Sequence, residues 1–366
     1  MPRSRAAIYD GTKPRSIEVR EFDVPAFGPA GELVIRTRFC GVCGSDLHRF
    51  RWSKQGPVIM GHEILGVVEK VPDGWLAADG TPIKVGDLVV PETRIPCHKC
   101  EYCRGVGSRA SKLVDYSNCP YQRGFGGIPL DEMPLLTGGW SDYVEFPLGT
   151  IVHHIDSRMN PEVAVLLEPF SISMKATRVA GINPDDTVVI LGPGPIGLLA
   201  VVAAHQAGAR KVILAGRAGD EERLAMGRDF GAHETIDISE GDPVEKVKAV
   251  NRGRLATRVI EATGAAGAIE LGIDMLGRAG VLTTVGGQRS DVRVSINPTD
   301  LVVRQIDIRG SVLGANAYEP CISLLTEGKY PFERMVTHRF ALPDIEQALL
   351  TFEQRGSCIK PVIVFE

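Results

Sequence analysis

Cys43-Gly44-Ser45-Asp46-Leu47-His48 and, a little further on, Gly61-His62-Glu63 crowd thiol, hydroxyl, imidazole and carboxylate groups into one short stretch. A thiolate from Cys43, an imidazole from His62 and a carboxylate from Glu63 form a ligand set that suits zinc. A structural zinc site usually closes with four Cys or His ligands. One Cys, one His and one Glu point instead to an open, catalytic position. Each residue alone has a plainer reading: a lone Cys is most often a small buried hydrophobe, and a lone His a satisfied core residue.

A second cluster follows in Cys97-His98-Lys99-Cys100-Glu101-Tyr102-Cys103, with Cys119 sixteen residues beyond Cys103. Four thiolates close a tetrahedral structural site, which makes two zinc ions per chain. A redox pair or unrelated buried thiols are the alternatives. A nucleic-acid-binding zinc module is a third, disfavoured because no basic stripe with interleaved aromatics flanks the cysteines.

A third feature points to phosphate. Thr187–Leu191 is a continuous apolar run, as in a buried parallel strand. Gly192-Pro193-Gly194-Pro195-Ile196-Gly197 follows at once, and a helix runs from Ile196 to about Gln206. Gly-x-Gly-x-x-Gly alone is a weak signal, but between strand and helix it is a dinucleotide-binding fingerprint. Gly192 permits the tight turn, Gly194 the approach of a pyrophosphate and Gly197 close packing. The helix N-terminus offers free N–H groups to phosphate, from Pro195-Ile196 onward. An acidic residue about 20 positions on normally holds the ribose 2′-hydroxyl of NAD. Here that place is Gly216, followed by Arg217, a guanidinium suited to a 2′-phosphate. NADP is therefore expected over NAD. The alternative is that Arg217 points to solvent, or that Asp220 or Glu221 folds back to the ribose, and NAD is kept.

The elements that must position these groups fall into two classes. Short runs such as Glu32–Thr37, Ile64–Val71 and Lys84–Pro91, broken by Gly and Pro, predict a β-rich, barrel-like domain. Residues 104–142 read as a long loop. A helix is expected from Asn160-Pro161-Glu162 through Glu168-Pro169 to about Gly181. Glu168 on its apolar face is costly unless paired or metal-bound, or else it is simply exposed. From Thr187 strands and helices alternate, which predicts an α/β, doubly wound domain. The tail returns to strand and helix and is expected to rejoin the first domain. The boundaries are 1–160, 161–313 and 314–366.

The chain has 366 residues, with 41 basic against 45 acidic side chains and a net charge of −4. No block of like charge points to nucleic acid or a membrane surface, and the N-terminus lacks the apolar core of a signal peptide. Cysteines at metal-like spacings favour a reducing compartment, the cytoplasm.

These motifs together resemble the zinc-dependent medium-chain dehydrogenase/reductase family, which includes alcohol, polyol and threonine dehydrogenases. The carriers are residues 43–48, Gly61-His62-Glu63, the cysteines 97–119, Glu168-Pro169, the loop 192–197 and Val336–Phe340. The resemblance implies a GroES-like catalytic domain with a Rossmann domain. It implies catalytic zinc on Cys43 and His62, with Glu63 a further ligand or close neighbour. Glu168 looks like the polyol and threonine dehydrogenase variant of the remaining ligand. Ser45 and His48 relay a proton to solvent, and Asp46 orients His62 or the loop. The fourth structural cysteine usually lies eight residues after the third, which here is Ser111. Residues 104–118 are therefore taken to carry an insertion, with Cys119 as ligand. Phe50, Trp52 and Tyr116 are candidate walls of the substrate pocket.

The activity implied is hydride transfer between a secondary alcohol or polyol, or the matching ketone, and a nicotinamide. A biosynthetic carbonyl or imine reductase is the first alternative, and a non-catalytic zinc scaffold the second. The partner is a small-molecule alcohol or carbonyl, and a homodimer or homotetramer is expected.

Overall fold

The computed structural model describes residues 2–24, 31–52, 55–106, 115–287 and 292–366. The chain forms two compact units, 1–168 with 318–366, and 169–317. These divisions fall a few residues beyond 160 and 313, and the first lies within the first turn of helix Leu167–Ala180.

The first unit is built on strands. Its largest sheet runs in the order Val152–His154, Leu88–Pro91, Glu63–Lys70, Leu33–Gly41, Lys360–Val364 and Val336–Ala341, with Tyr143–Phe146 also paired to Leu33–Gly41. A three-stranded sheet places Arg3–Tyr9 between Ile17–Asp23 and Val58–Ile59. Strand Leu33–Gly41 is the organiser. Its Gly41 faces Glu63 on one side and Val362 on the other. The last strand of the chain is thereby joined to the first half of the molecule. Trp140, Phe50, Phe146 and Tyr9 are fully buried in the core beneath.

The second unit is a six-stranded parallel sheet in the order Glu234–Asp237, Lys211–Gly216, Thr187–Leu191, Ala256–Glu261, Leu276–Thr284 and Asp307–Gly310. This is the doubly wound order, whose topological switch lies between the third and fourth strands as named here. All five residues of Thr187–Leu191 are buried, as expected for a strand covered on both faces.

The helix expected from Asn160 through Glu168-Pro169 is in fact two. Asn160 caps Pro161–Ala164, its side chain accepting the Glu162 N–H at 3.0 Å. A new helix starts at Leu167. Pro169 thus falls in a first turn, where its missing N–H would have had no helical partner anyway.

Candidate functional site

Cys43 ends the stretch after strand Leu33–Gly41, and helix Gly44–Trp52 begins beside it. His62 precedes strand Glu63–Lys70, so the two adjacent strands bring Cys43, His62 and Glu63 together. One ligand atom of each lies within 4.8 Å of the other two. Asp46 braces this arrangement. Its Oδ2 accepts the Cys43 N–H at 3.0 Å, and its Oδ1 lies 3.3 Å from His62 Nδ1. Burial works to lower the pKa of His62, but Asp46 and Cys43 outweigh it and the ring is held well above the ordinary range. Fixing Nδ1 against a carboxylate leaves Nε2 to face a metal, the usual support for a ligating imidazole.

Glu168 is buried, and Thr93 Oγ1 donates to its Oε1 at 2.9 Å. Burial pushes its carboxyl up to about 6, with Glu63 adding and His62 opposing. It is near enough to feel both residues, yet it does not share the tight cluster of Cys43, His62 and Glu63. Ser45 and His48 are exposed and three residues apart on helix Gly44–Trp52, hence on one face.

Cys97, Cys100, Cys103 and Cys119 converge, their sulfurs all within 4.8 Å of one another. The Cys97–Cys103 and Cys100–Cys103 separations are 3.9 and 3.5 Å. A tetrahedron of thiolates at zinc has edges of about 3.8 Å, so the set fits. Cys119 follows a 3₁₀ turn, Tyr116–Asn118, that Asp115 caps by accepting the Ser117 N–H. Ionisation within the cluster is uneven. The Lys99 N–H holds Cys97 down to about 6, whereas burial and its neighbours push Cys103 up to about 12. Adjacent thiolates repel, and a divalent cation removes that conflict by drawing all four to the ionised form. Ser111 lies outside the described residues.

In the parallel unit, Gly192 has φ +99°, a left-handed backbone that only glycine adopts freely. A Cβ at Gly197 would collide with the Gly192 carbonyl oxygen, so the helix Pro195–Gln206 can seat itself on the turn only with glycine there. Gly216 ends its strand and Arg217 is exposed. Asp220 Oδ2 accepts the Arg217 N–H at 3.1 Å, and Glu221 Oε1 accepts the Gly219 N–H at 3.0 Å. Both carboxylates brace the turn that presents Arg217.

Two family models match the chain: an alcohol dehydrogenase GroES-like domain over residues 29–156 and a zinc-binding dehydrogenase over 195–327. A sorbitol dehydrogenase of Halalkalibacterium halodurans is 31% identical over 336 residues, covering 91% of each chain. The chain belongs to the zinc-dependent medium-chain dehydrogenase/reductase family. Among solved structures, an alcohol dehydrogenase of Thermotoga maritima superposes with a TM-score of 0.90 at 26% identity over the whole of both chains. A zinc-binding dehydrogenase of Sinorhizobium meliloti bound to NADP does so with 0.84 at 25% identity, again over both whole chains. The protein is an alcohol-dehydrogenase-like oxidoreductase.

Sequence reasoning about this dehydrogenase misplaced two pocket residues and missed three supporting ones. Phe50 is a fully buried core residue rather than a pocket wall, because its position on helix Gly44–Trp52 turns it into the core beneath. Tyr116 is buried with its hydroxyl on Glu92, and the Trp52 side chain lies outside the described residues. The missed residues are Thr93, Lys360 and Glu261. Lys360 Nζ donates to both oxygens of Glu63 at 2.7 Å and to the Val42 carbonyl at 3.2 Å. Its signal was a lone lysine opening an apolar final strand. Glu261, fully buried at the switch of the parallel sheet, accepts the Thr263 and Gly264 N–H groups at 2.6 and 2.8 Å.

Proposed function

We propose that the dehydrogenase oxidises a secondary alcohol or polyol, or reduces the matching ketone, at a centre formed by Cys43, His62, Glu63 and Glu168. The observation that carries this reading is the convergence of Cys43, His62 and Glu63 in a chain that also gathers a separate, all-cysteine cluster. Zinc held there would supply Lewis-acid polarisation of a substrate oxygen, and a nicotinamide held by the loop 192–197 would supply the hydride chemistry. The chain's own groups do the rest. One thiolate and two carboxylates exceed the charge of a divalent ion by one, and the Lys360 ammonium offsets the excess. Ser45 takes the hydroxyl proton of the alcohol, and His48, on the same helix face, passes it to solvent. Asp46 holds His62 in orientation.

Cys97, Cys100, Cys103 and Cys119 hold the second, structural zinc. The loop 192–197 with Ile196 binds the pyrophosphate, and Gly216 with Arg217 selects NADP over NAD. The NADP carried by the Sinorhizobium protein supports a nicotinamide cofactor, and the sorbitol dehydrogenase a polyol substrate. The grouping of cysteines at metal-like spacings supports a cytoplasmic setting, and a homodimer or homotetramer belongs to the same proposal. Among the described residues no helix is long and apolar enough to cross a membrane. A screen of alcohols, polyols and their ketones with NAD and NADP, read by nicotinamide absorbance, tests the proposal. Absence of turnover from the zinc-replete protein with every pair would sink it.

A further inference from the structure

Arg49 lies on helix Gly44–Trp52, one residue after His48, and Arg94 opens the two-residue strand Arg94–Ile95, one residue after Thr93. Thr93 is the residue bonded to Glu168. The two arginines come from different elements but cover one turn. Arg94 pairs across to Gly124, where a Cβ would collide with Arg94 Nη1. A Cβ at Gly127 would stand 3.2 Å from Arg49 Nη2, and the Gly127 N–H donates to the Gly124 carbonyl at 3.1 Å. Glycine at these two places leaves the guanidiniums room to lie over the backbone.

Neither guanidinium forms an ion pair or hydrogen bond with a described residue. The undescribed stretches of this unit, 1, 25–30, 53–54 and 107–114, contain no Asp or Glu. Elsewhere in the unit Arg5, Arg51, Arg123 and Arg339 meet Asp142, Glu353, Glu132 and Glu162, while Arg38 and Arg104 also have no described side-chain partner but do not stand together over one turn. Arg94 is exposed and Arg49 half-buried, so the pair opens to solvent above the turn. Two guanidiniums turned to one opening, with no described carboxylate between them, form a positive patch that an anion can join. A guanidinium fork matches carboxylate and phosphate oxygens two at a time.

We propose that Arg49 and Arg94 form an anion subsite for the substrate, so that the preferred alcohol carries a carboxylate or phosphate, as a sugar acid or sugar phosphate does. This rests on the reading of the Cys43 and His62 cluster as the reaction centre. The anionic end of the substrate lies over the Gly124–Gly127 turn, and its reacting carbinol points towards His48 and Glu168. The subsite deepens the assignment from polyols in general to acidic ones.

The test compares D-sorbitol, D-sorbitol 6-phosphate and D-gluconate as substrates of the zinc-replete enzyme and of R49Q, R94Q and the double variant. The wild type favours an anionic compound. In the double variant the anionic-to-neutral ratio of kcat/KM falls roughly 10–100-fold, mainly through KM of the anionic member, as for loss of charged hydrogen bonds. Glutamine keeps the length and polarity of the stem, and circular dichroism verifies the fold. A ratio equal in wild type and double variant, or a wild-type preference for D-sorbitol, overturns the proposal. Isothermal titration with D-gluconate, D-sorbitol 6-phosphate and inorganic phosphate reads the subsite without turnover. Binding of either organic anion that is lost in the double variant supports it. Binding unaffected by the variants, binding of no anion, or binding of inorganic phosphate alone, overturns it. If no compound turns over while arginine-dependent binding persists, the dehydrogenase reading fails and the anion subsite stands.

Discussion

A lysine ammonium and a carboxylate taken out of water each lose several kcal/mol of hydration, which only close mutual contact offsets. Glu63 and Lys360 are each 1% exposed, and glycine at 41 is what admits them, since a Cβ there would collide with Glu63 Oε2. Replacing Lys360 by Met leaves a buried carboxylate alone and is expected to destabilise the first unit by about 3–5 kcal/mol. The double variant Glu63→Gln/Lys360→Met recovers most of that loss. Urea unfolding of the metal-free protein measures both, and a single variant as stable as wild type contradicts the pairing. Ser45 tests the proton path instead of the fold. Ser45→Ala is expected to lower kcat roughly 10²–10⁴-fold, the range for a positioned proton-transfer group, with the cofactor dissociation constant unchanged. A near wild-type rate would show that the proton leaves by another group.

At the scale of elements, the segment 97–119 has little apolar material of its own. Helix Glu101–Arg104 buries no residue. With so little buried there, the order of residues 97–106 depends on the four sulfurs and what they hold. Cys119→Ser is expected to remove one zinc per chain and to open residues 97–106 to proteolysis, while the zinc at Cys43 and His62 stays. Metal analysis and limited digestion read the two effects. A Ser111→Ala variant with the larger effect would reassign the fourth ligand. A different contact ties strand Val152–His154 to helix Tyr318–Glu327. His153, stacked on Tyr318, lies between Glu92 at 3.1 Å and Glu319 at 2.7 Å. Burial works to lower its pKa, but the two carboxylates prevail and raise it above 6.5. A raised folded-state pKa gives stability that is full below about 6.5 and lost as pH rises through the folded value. His153→Gln is therefore expected to cost roughly 1–2 kcal/mol at pH 6 and progressively less at higher pH. Denaturant unfolding of both proteins across that range measures the narrowing gap, and a gap that widens with pH refutes the charged state.

At the scale of the whole molecule, one unit carries both side-chain clusters that could hold a metal ion and the other carries the glycine loop. Cofactor choice should therefore be separable from metal binding. Arg217→Ala is expected to raise KM for NADP far more than for NAD, with zinc content unchanged. A wild type with the higher kcat/KM for NAD, or a variant that affects both cofactors equally, overturns the assignment of Arg217. In the structure Asp220 and Glu221 each accept an N–H of the turn, from Arg217 and Gly219, which supports the proposed preference for the phosphorylated cofactor. Their hydrogen-bonding capacity is directed to the turn, and the exposed guanidinium remains for the phosphate.

What could be read without coordinates was local. Cysteines at 97, 100 and 103 recur every three residues, so a tight turn suffices to gather them, whatever surrounds it. An apolar run, Gly-x-Gly-x-x-Gly and a helical stretch likewise specify strand, turn and helix through neighbours along the chain. The stretch from Asn160 through Glu168-Pro169 reads as one helix but is two, because a periodic apolar face does not reveal where one helix stops and the next begins. Other features were set only by the tertiary fold. Glu63 and Lys360 are 297 residues apart and meet because both strands that carry them flank Leu33–Gly41. Arg49 and Arg94 share one turn because the strand of Arg94 pairs with that of Gly124. Sheet order and register have no short-range code. They follow from which apolar faces can be buried together, and that is a property of the whole unit.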